Sequence, residues 1–250
     1  MRERWRHASA EDRLLLVGLP VLVAVLLGGW SLWLGIAPLD DVEARTLNWP
    51  SVLTLAGQHL RLVLVCSAIV MLTAVPLGIA LTRRRAGAVA PVAMGLANMG
   101  QAAPVIGVIV LLALLLGFGF WVAVLALSVY GFLPVLANTV AGLRGVDPHV
   151  VESARGMGMS PRQVLLRVEL PLAVPVIMSG VRTALVLMVG AGAFATFIDA
   201  GGLGLLIQTG IVMFRYSILV SGALLVACLA LAVEWAGRVV ELFAAPRGIA

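Results

Sequence analysis

Six apolar stretches, near Leu14–Ile36, Val52–Leu81, Ala88–Leu116, Trp121–Leu143, Leu172–Ile198 and Tyr216–Val240, take up most of this 250-residue chain. A helix needs roughly 20 apolar residues to cross a hydrocarbon layer about 30 Å thick, and each stretch is long enough. Backbone in that layer has to satisfy its own hydrogen bonds, so runs of this length read as helices. With 62% hydrophobic residues, 12% charged and a mean hydropathy of +1.10, a soluble globular domain is excluded. The expected fold is an all-α integral membrane protein of about six transmembrane helices, a single domain over residues 1–250. The N-terminus starts like a signal peptide, rich in arginine. Its apolar run of about 23 residues exceeds the 7–15 of a cleavable core, so a first span is expected.

Arginine placement orients these spans, because retained positive charge marks cytoplasmic loops. With both termini inside, the inner segments hold Arg2, Arg4, Arg6, Arg13, Arg83, Arg84, Arg85, Arg144, Arg155, Arg162, Arg167, Arg238 and Arg247. Outer loops hold Arg45 and Arg215, while Arg61 and Arg182 fall inside spans. The net charge of +5 is thus dispersed over separate inner loops. That pattern fits topology and contact with anionic lipid, and no nucleic-acid partner is expected. Cys66 and Cys228 lie mid-span and read as small buried hydrophobes. The outer loop from Ala37 to Ser51 is short and acidic, with Asp40, Asp41 and Glu43, and the tail after Val240 is ten residues. Neither is expected to capture a solute or hydrolyse a nucleotide.

The chain contains no lysine. A phosphate-binding loop of the G-x-x-x-x-G-K-[ST] type needs one, so the glycine-rich runs at 117–119, 156–158 and 201–204 read as packing and turns. His7, His59 and His149 are far apart and share no metal-ligand spacing with Cys or acidic residues. No serine nucleophile elbow is present. No catalytic residue, metal or cofactor is expected in this chain, and energy has to come from another subunit.

Between the fourth and fifth stretches lies a polar insert from Val146 to Pro171. Asp147 is placed to cap a helix whose first position, Pro148, has no N–H to lose. Gly156 and Gly158 sit where a helix of about two turns ends. Ser160, Pro161 and Gln163 then form a second start with the spacing of a capping box. Two short helices joined by a glycine elbow are expected, returning to the membrane at Leu170–Pro171.

The insert reads Glu152–Ser153–Ala154, three residues, Gly158, nine residues, then Val168, one residue, Leu170 and Pro171. This resembles the coupling motif of permease subunits in binding-protein-dependent ABC importers, with Ser153 in place of Ala and Val168 in place of Ile. The resemblance implies a type I, MetI-like permease core of five helices over 51–243. Residues 1–50 would add a tail, a span and an outer loop, and 144–171 would be the cytoplasmic coupling loop. It implies a partner ATPase that binds ATP and Mg, an extracytoplasmic substrate-binding protein, and a second permease copy or sister permease. The place would be a bacterial or archaeal cytoplasmic membrane. Coupling residues by this resemblance are Asp147, Glu152, Ser153, Ala154, Gly158, Ser160, Leu170 and Pro171, with Glu152 as polar anchor and Gly158 as elbow.

The stretches GMGMSPRQ at 156–163, VELPLAVPVI at 168–177, GVRT at 180–183 and AGGLG at 200–204 look like the osmoprotectant branch. NMGQAAP at 98–104, YGFLP at 130–134 and Asn138–Thr139 fit the same branch. It imports glycine betaine, choline, carnitine and related compounds, and the resemblance covers roughly Ser51 to Tyr216. A quaternary ammonium cannot donate a hydrogen bond and is commonly held over aromatic faces. Tyr130, Phe132, Phe194 and Phe197 are candidates for that role, or for packing. Asn98 and Gln101 share a helix face, need partners in a bilayer, and join Pro104 and Asn138 as pathway candidates. Arg61, Asp199, Gly201, Gly202 and Gly204 are gate candidates, with Arg61 or His59 meeting Asp199 or Arg61 snorkelling alone. Methionine or phosphonate import is the alternative within the family. A secondary transporter or channel is the alternative outside it, expected to show paired mid-membrane acids.

Overall fold

The computed structural model describes residues 10–83 and 89–244, and these are helical throughout apart from short turns. Arg2, Arg4, Arg6, His7, Arg84, Arg85, Ala88 and Arg247 lie outside the described residues. In chain order the helices are α1 (Ala10–Ile36), α2 (Asp41–Thr46), α3 (Trp49–Leu81), α4 (Val89–Ala102), α5 (Val105–Leu116) and α6 (Phe120–Arg144). They continue with α7 (Pro148–Gly156), α8 (Pro161–Val164), α9 (Leu170–Gly192), α10 (Gly204–Val212) and α11 (Tyr216–Ala244). A π turn, Leu165–Glu169, joins α8 to α9, and a 3₁₀ segment, Ala193–Ile198, extends α9.

Five helical elements are long and apolar enough to cross a membrane: 14–36, 49–81, 120–144, 161–198 and 216–243. The third apolar stretch departs from the expected single span. It is broken into α4 and α5, which are bent by 95°. Pro104 explains the break: it has no N–H, and it drives the preceding residue out of helical geometry. Ala103 N–H still closes α4 on Met99, while Pro104, at φ −58° and ψ 118°, opens α5 by accepting from Val108.

Helix α6 is the spine, buried between α3 and α9. Helices meet here through small residues, as they do where no water drives association. A side chain on Gly131 would meet Met188 Sδ at 2.8 Å, one on Gly142 would meet the Ala173 carbonyl at 3.1 Å, and one on Gly78 would overlap Thr139. Cys66 and Cys228 are buried, unpaired thiols.

The first helix is tethered near both ends. Trp30 Nε1–H donates to Ser221 at 2.9 Å and Trp235 Nε1–H donates to the Leu16 carbonyl at 3.0 Å. The acidic loop after α1 is more ordered than its composition suggests. Asp40 and Glu43 form a capping box on α2, and Arg215 pairs with Asp40 to tie that loop to the α10–α11 turn. Arg182, expected inside a span without an assigned partner, pairs with Glu234 at 3.3 Å and also with Glu241, while Arg238 pairs with Glu234 at 2.9 Å. Two guanidinium groups and two carboxylates thereby neutralise one another between α9 and α11, which meets the cost of charge at that depth.

Candidate functional site

The insert folds as its caps dictate. Asp147 Oδ1 accepts the His149 N–H at 2.8 Å, Pro148 takes the first helical position, and α7 runs to Gly156. Ser153 donates to the His149 carbonyl at 2.8 Å, and Ala154 is buried beneath the helix. At Gly158 the backbone turns left-handed, with φ +83°, a conformation that costs any residue with a Cβ. Ser160 and Gln163 then cap α8 reciprocally, the Ser160 N–H donating to Gln163 Oε1 at 2.8 Å.

From α8 the chain runs into the apolar helix α9 without a break. Leu165–Glu169 form a π turn in which Leu170 N–H reaches back to the Leu165 carbonyl. Pro171 accounts for it: its ring presses on the preceding turn, and a widened turn accommodates the ring. Pro161 to Ile198 is therefore one continuous helical element of 38 residues. Glu169, nearly buried, holds this joint to the end of α3 through Arg83 Nη1 at 2.8 Å, a coulombic contact and not an aligned hydrogen bond. Glu152 is exposed, and among the described residues no ion pair engages it. Val150, Met157 and Leu166 are exposed apolar residues on an otherwise polar insert.

The far end of the same element is built differently. Phe194 and Phe197 stack along the 3₁₀ segment, with ring centroids 6.5 Å apart and both rings substantially exposed. Asp199 then adopts φ +59°, Gly201 φ +76° and Gly202 φ +98°. Gly204 lies flat against the Ala193 backbone, where no side chain fits. The loop is held by span α3: Gly202 N–H donates to Gln58 Oε1 at 3.1 Å, and His59 lies fully buried against Gly192 and Gly202. Gly119 N–H, at the head of α6, donates to the Ile198 carbonyl at 2.7 Å.

The candidate gate residues are only partly brought together. Gly201, Gly202 and Gly204 share the loop with Asp199, but neither Arg61 nor His59 is paired with Asp199. The Arg61 guanidinium sits 4.9 Å from the centre of the Phe120 ring, and His59 Nε2 bonds the Val189 carbonyl at 2.9 Å. Arg61 thus follows the alternative of reaching its own surroundings independently.

The pathway candidates also divide. Tyr130 and Phe132 are half-buried and pack on the core. Asn138 donates to the Pro134 carbonyl at 2.8 Å and packs against Gly180, where a Cβ would come within 2.6 Å of that carbonyl. Asn98 is exposed and donates to the Met94 carbonyl at 2.9 Å, Gln101 is half-buried, and Pro104 is the break between α4 and α5. Phe194 and Phe197 alone among the aromatic candidates offer exposed faces side by side. Arg83, Glu169 and Gln58 join the site without an expected role, and His59, expected to meet Asp199, instead bonds Val189 and packs against the glycine loop. The proline after Glu169 marks the joint, whereas nothing local marks the socket around His59, whose partner carbonyl is 130 residues away.

A multi-pass helical bundle with a capped polar insert fused to one span is the architecture of a multi-pass membrane protein with a structured polar insert. The chain belongs to the family described as binding-protein-dependent transport system inner membrane component, whose model matches residues 74–243. It is a multi-pass inner-membrane protein of that family. It is 36% identical to the glycine betaine/carnitine/choline transport system permease protein OpuCB of Bacillus subtilis, over 81% of this chain and 92% of the relative. It is 38% identical to the choline transport system permease protein OpuBB of the same organism, over 83% and 95%. The osmoprotectant import permease protein OsmW of Salmonella typhimurium is 35% identical, over 84% of this chain and all of the relative. Among solved structures, an inward-facing MetNI methionine ABC transporter matches with a TM-score of 0.71 at 20% identity, covering 80% of this chain and 100% of that chain. The MetI-like permease fold is thus present.

Proposed function

We propose that this chain forms the solute pathway of an ATP-driven importer for osmoprotectants of the glycine betaine, choline and carnitine class. The names of the relatives at 35–38% identity support that cargo, whereas the methionine transporter at 20% identity supports the fold alone. ATP and Mg are bound by a separate ATPase, an extracytoplasmic binding protein delivers the solute, and a second permease copy or sister permease completes the pathway. Both termini and the 144–171 insert face the cytoplasm, and residues 51–243 act as the transport core behind an added first span.

The observation that carries the mechanism is the unbroken helical element from Pro161 to Ile198. The insert, stapled by Asp147 and Ser160 and turned at Gly158, offers Glu152 and the exposed Val150, Met157 and Leu166 to the ATPase. A bound ATPase would cover these exposed apolar side chains. Movement of the ATPase pair pushes the insert, and the element transmits the push as a rigid body between two discrete arrangements. Its other end carries Phe194 and Phe197, whose stacked faces suit a passing quaternary ammonium, and the glycine loop that closes the outer end. Leu170 and Pro171 hold the angle at which the lever enters the membrane.

Reconstitution with the matched ATPase and binding protein tests this. Uptake of radiolabelled glycine betaine should require ATP and should be competed by unlabelled choline or carnitine but not by methionine. Competition by methionine alone would contradict the cargo, and concentration of solute by the purified chain without any ATPase would contradict the mechanism.

A further inference from the structure

His59 is fully buried, yet only one of its ring nitrogens is used. Nε2 lies 2.9 Å from the Val189 carbonyl, and a carbonyl can only accept, so Nε2 carries the proton and Nδ1 presents a lone pair. That Nδ1 has no hydrogen-bond partner. A buried, unpaired acceptor is costly and asks for a reason. It faces the glycine loop: a Cβ on Gly202 would lie 3.2 Å from Nδ1, and one on Gly192 would lie 2.9 Å from Nε2. The neighbouring residue on the same helix, Gln58, already holds the loop, since its Oε1 accepts the Gly202 N–H at 3.1 Å. Two acceptors on adjacent residues of α3 therefore face one loop, and one of them is vacant. The loop is able to move between them, because Gly201 and Gly202 supply the backbone freedom, with φ at +76° and +98°.

We propose that Gln58 and His59 form a two-seat latch for the 199–203 loop, with its amide on Gln58 in this arrangement and on His59 Nδ1 in the opposite one. This rests on reading the loop as the outer gate of a transporter. The two residues are positioning groups that set where the gate stops in each half-cycle. The nitrogen left vacant here is the seat for the other state.

The test uses the reconstituted full complex with spin labels at Thr54 and Ala200, diluted with unlabelled chain, since the native Cys66 and Cys228 are buried. Distances are measured without nucleotide and after vanadate trapping. Wild type should show two distances whose proportions reverse on trapping. Gln58→Leu and His59→Gln, which keeps a donor for Val189, should shift the ratio in opposite directions, each by about fivefold, the worth of one hydrogen bond. His59→Asn, whose amide oxygen takes the place of Nδ1, should restore the wild-type ratio. A purely structural histidine would give the reverse ranking, with Gln tolerated and Asn disruptive. Shifts in the same direction, no shift, or a single wild-type distance in both states would overturn the latch. Glycine betaine uptake, measured in parallel on wild type, decides the cargo separately, because the distance change is driven by nucleotide.

Discussion

The two ends of the 161–198 element achieve order by opposite means. At the insert end, order is mostly local: Asp147 and Ser160 cap their own helices and Gly158 turns the chain, with Glu169 adding a tie to the sequence-distant Arg83. At the far end, order is borrowed: a loop of glycines is held by Gln58 and packed against His59, both from a helix more than 130 residues earlier. A part that receives force from a partner has to keep its shape alone, whereas a gate has to be released by whatever holds it.

Substitutions at the two ends should therefore fail differently. The largest effect is expected from Gly202→Val, which combines left-handed backbone with crowding against His59. Its loop should lose about 2–5 kcal/mol of stability, abolishing uptake while the complex with the ATPase still assembles. Next comes Gly158→Val at the elbow, with a backbone cost of about 1–2 kcal/mol. Uptake should fall about tenfold there while ATP hydrolysis persists, which is uncoupling, and equal loss of both would argue against the elbow. Arg83→Ala leaves the Glu169 carboxylate without its partner and should lower the melting temperature of the purified chain by an amount equivalent to about 1–3 kcal/mol. A rescue by the double variant Arg83→Ala with Glu169→Gln would trace that loss to the stranded charge. The smallest effect belongs to Ser160→Ala, about 1 kcal/mol confined to the first turn of α8, read as faster amide exchange at Gln163 and Val164.

The same asymmetry governs what the sequence reveals. Apolar length located the spans, and cap residues located α7, the elbow and α8, because both signals are written in neighbouring residues. The capping box of Asp40 and Glu43 was equally local and passed over behind the acidity of its loop. So were Glu234 and Glu241, placed on one face of α11 to receive Arg182, with Arg238 pairing Glu234 one turn on. Pro104 was visible, but a proline in an apolar run is compatible with a kink or with a full break, and only packing chose the 95° bend. The socket of His59 is a different case. It exists only after α3, α9 and the glycine loop have come together, so the histidine pointed toward the loop through Asp199 but not to Val189 or Gly192.

The central claim is that the insert and span α9 move as one lever. Three glycines inserted after Leu166, an exposed position within the π turn, would interrupt that lever while leaving α7 and α8 intact. The decisive measurement is the change in distance between spin labels at Thr54 and Ala200 on vanadate trapping, with and without the insertion. Loss of the change while the ATPase still hydrolyses ATP is the predicted result. An undiminished change in the interrupted chain would show that the far end is driven by another route.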